Sequence, residues 1–172
     1  MAESNNSFRE ALKTRTLVAD GAVSTMIQAA SPSLEDFQGH EGCNEIFNAT
    51  RPDIIADIHR AYLDAGVDAI ETNTFGANVG NLGKYGIVEG TYEFARAGPE
   101  IARKAVSEYA ALKWVLGSLG AGTKLPTFGH TTIRELMESY RFAASESIDG
   151  RVDALLIETT QDLLQAKYFN AL

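Results

Sequence analysis

Val67-Asp68-Ala69-Ile70, followed at once by Glu71-Thr72-Asn73-Thr74-Phe75, is the stretch that decides how this chain folds. A short, largely apolar run closed abruptly by polar residues suits a strand buried on both faces of a parallel sheet. Similar runs occur at residues 16–19, 114–116 and 154–157. Helical spacing fills the intervals between them. Ile54, Ile55, Ile58, Ala61, Tyr62 and Ala65 share one face of a helix, with Thr50 placed to cap it, Pro52 in its first turn and Gly66 after its end. A second helical stretch is predicted over residues 88–110, interrupted by Gly90, Gly98 and Pro99. Thr132 and Glu135 form a capping box ahead of an apolar stripe of Ile133, Leu136, Met137, Tyr140, Ala143 and Ala144. A fourth helix is expected from Gln161, with Leu163, Leu164, Tyr168, Ala171 and Leu172 on its apolar side.

Four strand–helix units predict a parallel α/β architecture, which is either an open doubly wound sheet or part of a closed barrel. A full eight-stranded barrel takes about 250 residues, so four units make roughly half of one. The polar residues 1–15 read as an N-terminal extension, and residues 26–50 as a loop over the strand ends.

Composition narrows the function. With 45% hydrophobic and 22% charged residues among 172, the chain is an ordinary globular domain. Its net charge of −8 repels phosphate backbones and anionic lipid, which argues against nucleic acid and membrane surfaces as partners. No apolar run suits a membrane span or a secretory signal, and a lone cysteine fits a reducing compartment, so a cytoplasmic protein is expected. His40, Cys43, His59 and His130 show no metal-ligand spacing, and no complete metal site is expected. His59 reads as a structural residue at the edge of its helix's packed face. Gly117 to Gly122 mimics a phosphate loop, yet Thr123 precedes Lys124 and Pro126 prevents the helix such a loop needs.

The strand ends carry the chemistry. In parallel α/β folds these ends converge on the ligand site. Asp20 and Glu158 close the first and fourth runs and can share one cation, such as an amino acid's ammonium. Gly21 and Ala22 beside Asp20 let a ligand carboxylate approach backbone N–H groups. Asn73 is a further candidate contact. Each has a plainer use as well: Asp20 in a turn, Glu158 at a helix start, Asn73 on nearby backbone.

With these residues laid out, the sequence resembles the homocysteine-binding domain of the cobalamin-dependent methionine synthases, a branch of the homocysteine S-methyltransferases. The resemblance rests on Val18-Ala19-Asp20-Gly21-Ala22, Arg51-Pro52-Asp53, Ile58-His59-Arg60-Ala61-Tyr62, Glu71-Thr72-Asn73-Thr74-Phe75 and Leu156-Ile157-Glu158-Thr159 with Asp162. It implies a (β/α)8 barrel, of which this chain is the N-terminal half. It also implies a parent activity: methyl transfer from methylcobalamin to homocysteine, giving methionine. In that family zinc holds the homocysteine sulfur as a thiolate through cysteines of later strands, and Cys43 matches none of them. The resemblance therefore implies zinc and methylcobalamin for the parent enzyme and none bound to this chain, which alone is expected to be inactive. Its expected partners are homocysteine and either the other barrel half or a second copy. A noncatalytic half-barrel that binds an amino acid or a protein is the alternative. Two positions depart from the family pattern. Ser24 replaces the glycine of a DGAMGT loop, and Ala121 stands where a proline follows Leu119-Gly120.

Overall fold

A computed structural model describes residues 2–169. The chain opens with α1 (Ala2–Thr14), where only a polar extension was expected. Phe8 and Ala11 of this helix pack on Trp114 and Leu17, while Leu12 is exposed. Phe8 meets the Trp114 ring edge-on at 5.6 Å, and the Trp114 indole N–H donates to Ser7 Oγ at 3.2 Å. Arg15, just past the helix, makes a bidentate pair with Asp68 at 2.8 and 2.9 Å.

Residues 16–19 do not form a full strand. A single parallel bridge joins Ala19 to Ala69. The Asp68 carboxylate takes the Val18 N–H at 2.9 Å, so a side chain occupies a donor that would otherwise be free for a ladder. The expected loop at 26–50 is also largely helical at its ends. It contains most of α2 (Val23–Ala29), a 3-10 turn at Asn44–Ile46 and α3 (Phe47–Thr50). Phe37, Cys43, Ile46 and Phe47 pack into a core with Ile27 and Ile55, and this burial holds the segment.

Next comes α4 (Pro52–Asp64), with Pro52 in its first turn and Gly66 at φ +99° beyond its end. Thr50 does not cap it: its hydroxyl donates back to the Ile46 carbonyl, and Arg51 occupies the cap position. His59 lies fully buried rather than at an edge, with neither ring nitrogen hydrogen-bonded. Burial pushes its pKa down to about 4, so it is neutral at pH 7.

The strand β1 (Ala69–Glu71) leads into the short α5 (Val79–Leu82). A 3-10 turn at Val88–Gly90 precedes α6 (Thr91–Val106), a shorter helix than the predicted 88–110. Gly98 lets α6 close on the β1 loop. A Cβ there would lie 2.6 Å from Thr74 Cγ2 and 3.0 Å from Asn48 Nδ2. The strand β2 (Trp114–Gly120) is buried throughout. Then α7 (Ile133–Asp149) begins with the expected capping box, Thr132 accepting from the Glu135 N–H and Glu135 from the Thr132 N–H. The strand β3 (Ala154–Glu158) and α8 (Leu163–Phe169) follow. Leu163 does not join an apolar stripe, being 88% exposed, while Ala171 and Leu172 lie outside the described residues.

The sheet is parallel, in the order β1-β2-β3, with the Ala19 bridge extending it beyond β1. The structure is thus α/β with three strands and one bridge, where four complete strand–helix units were expected. Ile70 and Val115 face α4 and α6, packing with Leu63, Ala102 and Ala105. Ala69, Trp114 and Leu116 face the other way, toward Leu17, Leu156 and α1. Among the described residues no helix is long and apolar enough to cross a membrane.

Candidate functional site

The polar residues after β1 turn sharply because their hydroxyls bond the neighbouring strand. The Thr74 hydroxyl donates to the Ser118 carbonyl at 2.8 Å and contacts the Thr72 hydroxyl at 2.6 Å, which in turn accepts from the Ser118 N–H at 3.0 Å. Gly120 fits because a Cβ there would meet the Phe75 carbonyl oxygen at 2.4 Å. Asn48 clamps the same turn from α3. Its amide donates to the Asn73 and Phe94 carbonyls and accepts from Asn73 Nδ2. Below the turn Glu45 accepts the Gly76 N–H at 2.7 Å and the Cys43 thiol at 3.7 Å. Burial raises the Glu45 pKa and pushes the Cys43 thiol up to about 12.

Above these supports lies a cleft of about 380 Å³, lined by Gly21, Ala22, Ser24, Glu71, Asn73, Ser118 and Glu158, among others. The volume is at the small end of ligand pockets. Four of the five sequence-derived residues (Gly21, Ala22, Asn73 and Glu158) line it, and the fifth, Asp20, adjoins it. Asp20 Oδ1 accepts the Glu71 N–H at 2.8 Å, while Oδ2 is buried without a partner. Burial, reinforced by repulsion from Glu71 and Glu158, raises the Asp20 pKa to about 7. Both Nδ2 hydrogens of Asn73 are engaged, one by the Asn44 carbonyl at 2.8 Å and one by Asn48. Ser24 Oγ accepts from Asn44 Nδ2 at 2.8 Å, which fixes the substituted loop position to the floor of the cleft. The Ala121 carbonyl accepts from the Tyr140 hydroxyl and Gln165 Nε2, and these two bonds hold the turn that lacks its proline.

Sequence reasoning passed over Glu71, Ser118 and Glu45 as site residues. Glu71 follows Ile70 as Glu158 follows Ile157, so the rule that selected Glu158 selects Glu71 too. Burial, then repulsion from and hydrogen bonding to Glu158, raises the Glu71 pKa to about 7. The Ser118 hydroxyl donates to Glu158 Oε1. Ser118 and Glu45 carried no comparable signal, because their roles depend on register and on a contact made across the cleft. The arrangement is a small cleft lined by the Glu45, Glu71 and Glu158 carboxyls and by residues 21–24, with Asp20 adjoining. It suits a zwitterion with a primary ammonium.

The sequence profile of the homocysteine S-methyltransferases matches residues 17–172, and the chain belongs to that family. It is 50% identical over 161 residues to a methionine synthase of Mycobacterium tuberculosis, covering 92% of this chain. A methionine synthase of Mycobacterium leprae is 49% identical over 161 residues. The chain spans only about 14% and 13% of the lengths of these relatives. Among solved structures, the metallated form of the homocysteine methyltransferase MmuM from Escherichia coli superposes with a TM-score of 0.78 at 21% identity. That match covers 95% of this chain and 61% of MmuM. The apo form gives 0.64 at 19% identity. The fold is therefore similar to that of a homocysteine methyltransferase barrel.

Proposed function

We propose that this chain is the part of a methionine synthase that grips the amino-acid end of homocysteine, within a barrel that methylates the homocysteine sulfur from methylcobalamin. The observation that carries the reading is the gathering of Asp20, Glu71 and Glu158 beside Gly21 and Ala22 in one cleft, in a chain of this family. In this account Asp20 and Glu158 hold the ammonium, while the backbone N–H groups of Gly21 and Ala22 meet the carboxylate. Asn73 shapes the floor, and the thiol is left pointing to the open side. The acidic surface and single cysteine suit a cytoplasmic enzyme.

Zinc and methylcobalamin do not fit the residues present. Among the described residues no group of three or more His, Cys, Asp or Glu is arranged to hold a metal ion. Cys43 is fully buried, and its thiol is held neutral well above pH 7. A corrin with its nucleotide tail is far larger than the 380 Å³ cleft. The chain's own contribution is binding and orientation, and by itself it is expected to be inactive.

Calorimetry with L-homocysteine tests the clamp. Asp20→Asn removes one charge-assisted bond to the ammonium, and about 1.5–3 kcal/mol is the usual worth of such a bond. Affinity is expected to fall roughly 10- to 100-fold. Unchanged affinity would remove Asp20 from the ammonium site.

We also propose that the architecture is half a barrel whose remaining strands pair onto β3. Among the described strands β3 pairs only with β2, and Leu155 on it is 37% exposed. Its run 154–157 has neither charge nor proline to discourage pairing. Covering such a face yields about 25 cal/mol per Å² of apolar area. The isolated chain is expected to self-associate or to bind dyes that report exposed apolar surface, which light scattering and dye titration measure. A monodisperse 18.6 kDa species that binds no dye and unfolds cooperatively contradicts the half-barrel.

A further inference from the structure

The cleft holds more carboxyl groups than one ammonium requires. Glu71 at the end of β1 and Glu158 at the end of β3 line the same cleft on either side of β2, near enough to repel each other when both are ionised. Two ionised carboxylates repel and can only accept hydrogen bonds, so a proton on one of them relieves the pair. Ser118, between the two on β2, donates its hydroxyl to Glu158. No Lys, Arg or His lines the cleft among the described residues. The groups that face the pair are Asp20 from the loop after Ala19, Ser118 from β2 and Glu45 from the 3-10 turn. Glu45 is already engaged by the Gly76 N–H and the Cys43 thiol. Asp20 brings further negative charge, with one buried oxygen unpartnered.

We propose, resting on the amino-acid clamp above, that Glu71 is a further binding residue: it holds a proton shared with Glu158 in the free cleft and releases it when a primary ammonium enters. The exchange balances simply. The ammonium arrives with its three hydrogens, the carboxyl proton leaves to buffer, no covalent bond to the amino acid is made or broken, and the ammonium's positive charge takes the place of the proton's beside the carboxylates. Burial and the neighbouring Glu158 hold the Glu71 carboxyl at about 7, so the proton is in place in neutral and mildly acid solution. The sign follows. Below pH 7 the ligand competes with a bound proton, and above it the site is already vacated, so affinity rises with pH. For one such proton, binding at pH 5.5 is about 30-fold weaker than at pH 8. The device also selects for charge. An α-hydroxy acid of the same shape brings no cation and does not displace the proton.

The test is calorimetry of the full chain at pH 6 with L-homocysteine, in buffers of different ionisation enthalpy, which counts protons released on binding. The wild type is expected to release about one proton more than Glu71→Gln, whose amide can donate to a neighbouring carboxylate but has no proton to lose. The 2-hydroxy analogue of homocysteine is expected to release none. Homocysteine binding with equal release in both proteins overturns the role of Glu71 and leaves the clamp standing. No homocysteine binding by the wild type overturns the clamp itself and this inference with it. If Glu71→Gln does not fold, carbon-13 carboxyl titration of the wild type decides instead. A glutamate titrating near 7 alone and below about 5 with homocysteine supports the exchange, and an unmoved titration refutes it.

Discussion

Asp153→Ala is expected to lower the stability of this chain by about 3–5 kcal/mol, the usual cost of breaking a buried ion pair from one side. Asp153 stands where the chain enters β3 and is 4% exposed. Its Oδ2 accepts both the Val115 N–H of β2 and Arg103 Nη2 of α6 at 2.8 Å. Arg103 also donates to the Arg151 carbonyl, so one guanidinium ties α6 to the turn before β3. Alanine removes the counter-charge of Arg103 and leaves a buried strand N–H without its acceptor. Asp153→Asn keeps an acceptor for Val115 and is expected to lose about 1–2 kcal/mol. Urea denaturation of the two variants gives the ordering, and an alanine variant within 1 kcal/mol of wild type would refute the pairing argument.

Asn48→Asp is expected to be nearly as damaging, although the two side chains have the same shape. Asn48 is 3% exposed, and its Nδ2 is the shared donor to the Asn73 and Phe94 carbonyls at 2.8 and 2.9 Å. Aspartate turns an oxygen toward both carbonyls. Each orphaned buried acceptor costs about 1–3 kcal/mol, which puts the total near 2–6 kcal/mol. Protonating the aspartate restores at most one donor, so the loss shrinks in acid without vanishing. Aspartate keeps an acceptor for Asn73 Nδ2, so the damage falls on the two carbonyls that Asn48 Nδ2 serves. Thermal melts at pH 5 and 8 check both points. Equal melting temperatures for variant and wild type would show that the α3 clamp does not hold the turn.

How far the sequence reveals this molecule depends on how local each cause is. Thr132 and Glu135 are three residues apart, so their capping box could be read from spacing, as could Pro52 and Gly66 at the two ends of α4. The strand ends were legible for the same reason: Ile157-Glu158 and Ile70-Glu71 announce themselves within a few residues. Residues 16–19 misled because Asp68, fifty residues on from Val18, captures a donor of their backbone. Residues 26–50 looked like a loop because their helical pieces are too short to show a period, and long-range burial of Cys43, Ile46 and Phe47 is what sustains them. Leu163 shows the opposite error. Its apolar character fitted a helical stripe, but α8 turns it outward. Within the cleft, the closing of Ser118 on Glu158 spans forty residues, and no local pattern encodes it.

The seating of α1 on Trp114 has an optical consequence. This is the single tryptophan of the chain, 2% exposed, with Phe8 against its edge, Ser7 on its indole nitrogen and the Arg15 guanidinium 5.9 Å from its ring centre. Those three neighbours come from α1 and the residue just past it. While the sheet is intact, the tryptophan fluorescence of the protein therefore reports the docking of its first helix beneath the sheet. A blue, shielded emission marks the helix in place. A shift to the red while the strands stay paired marks its departure.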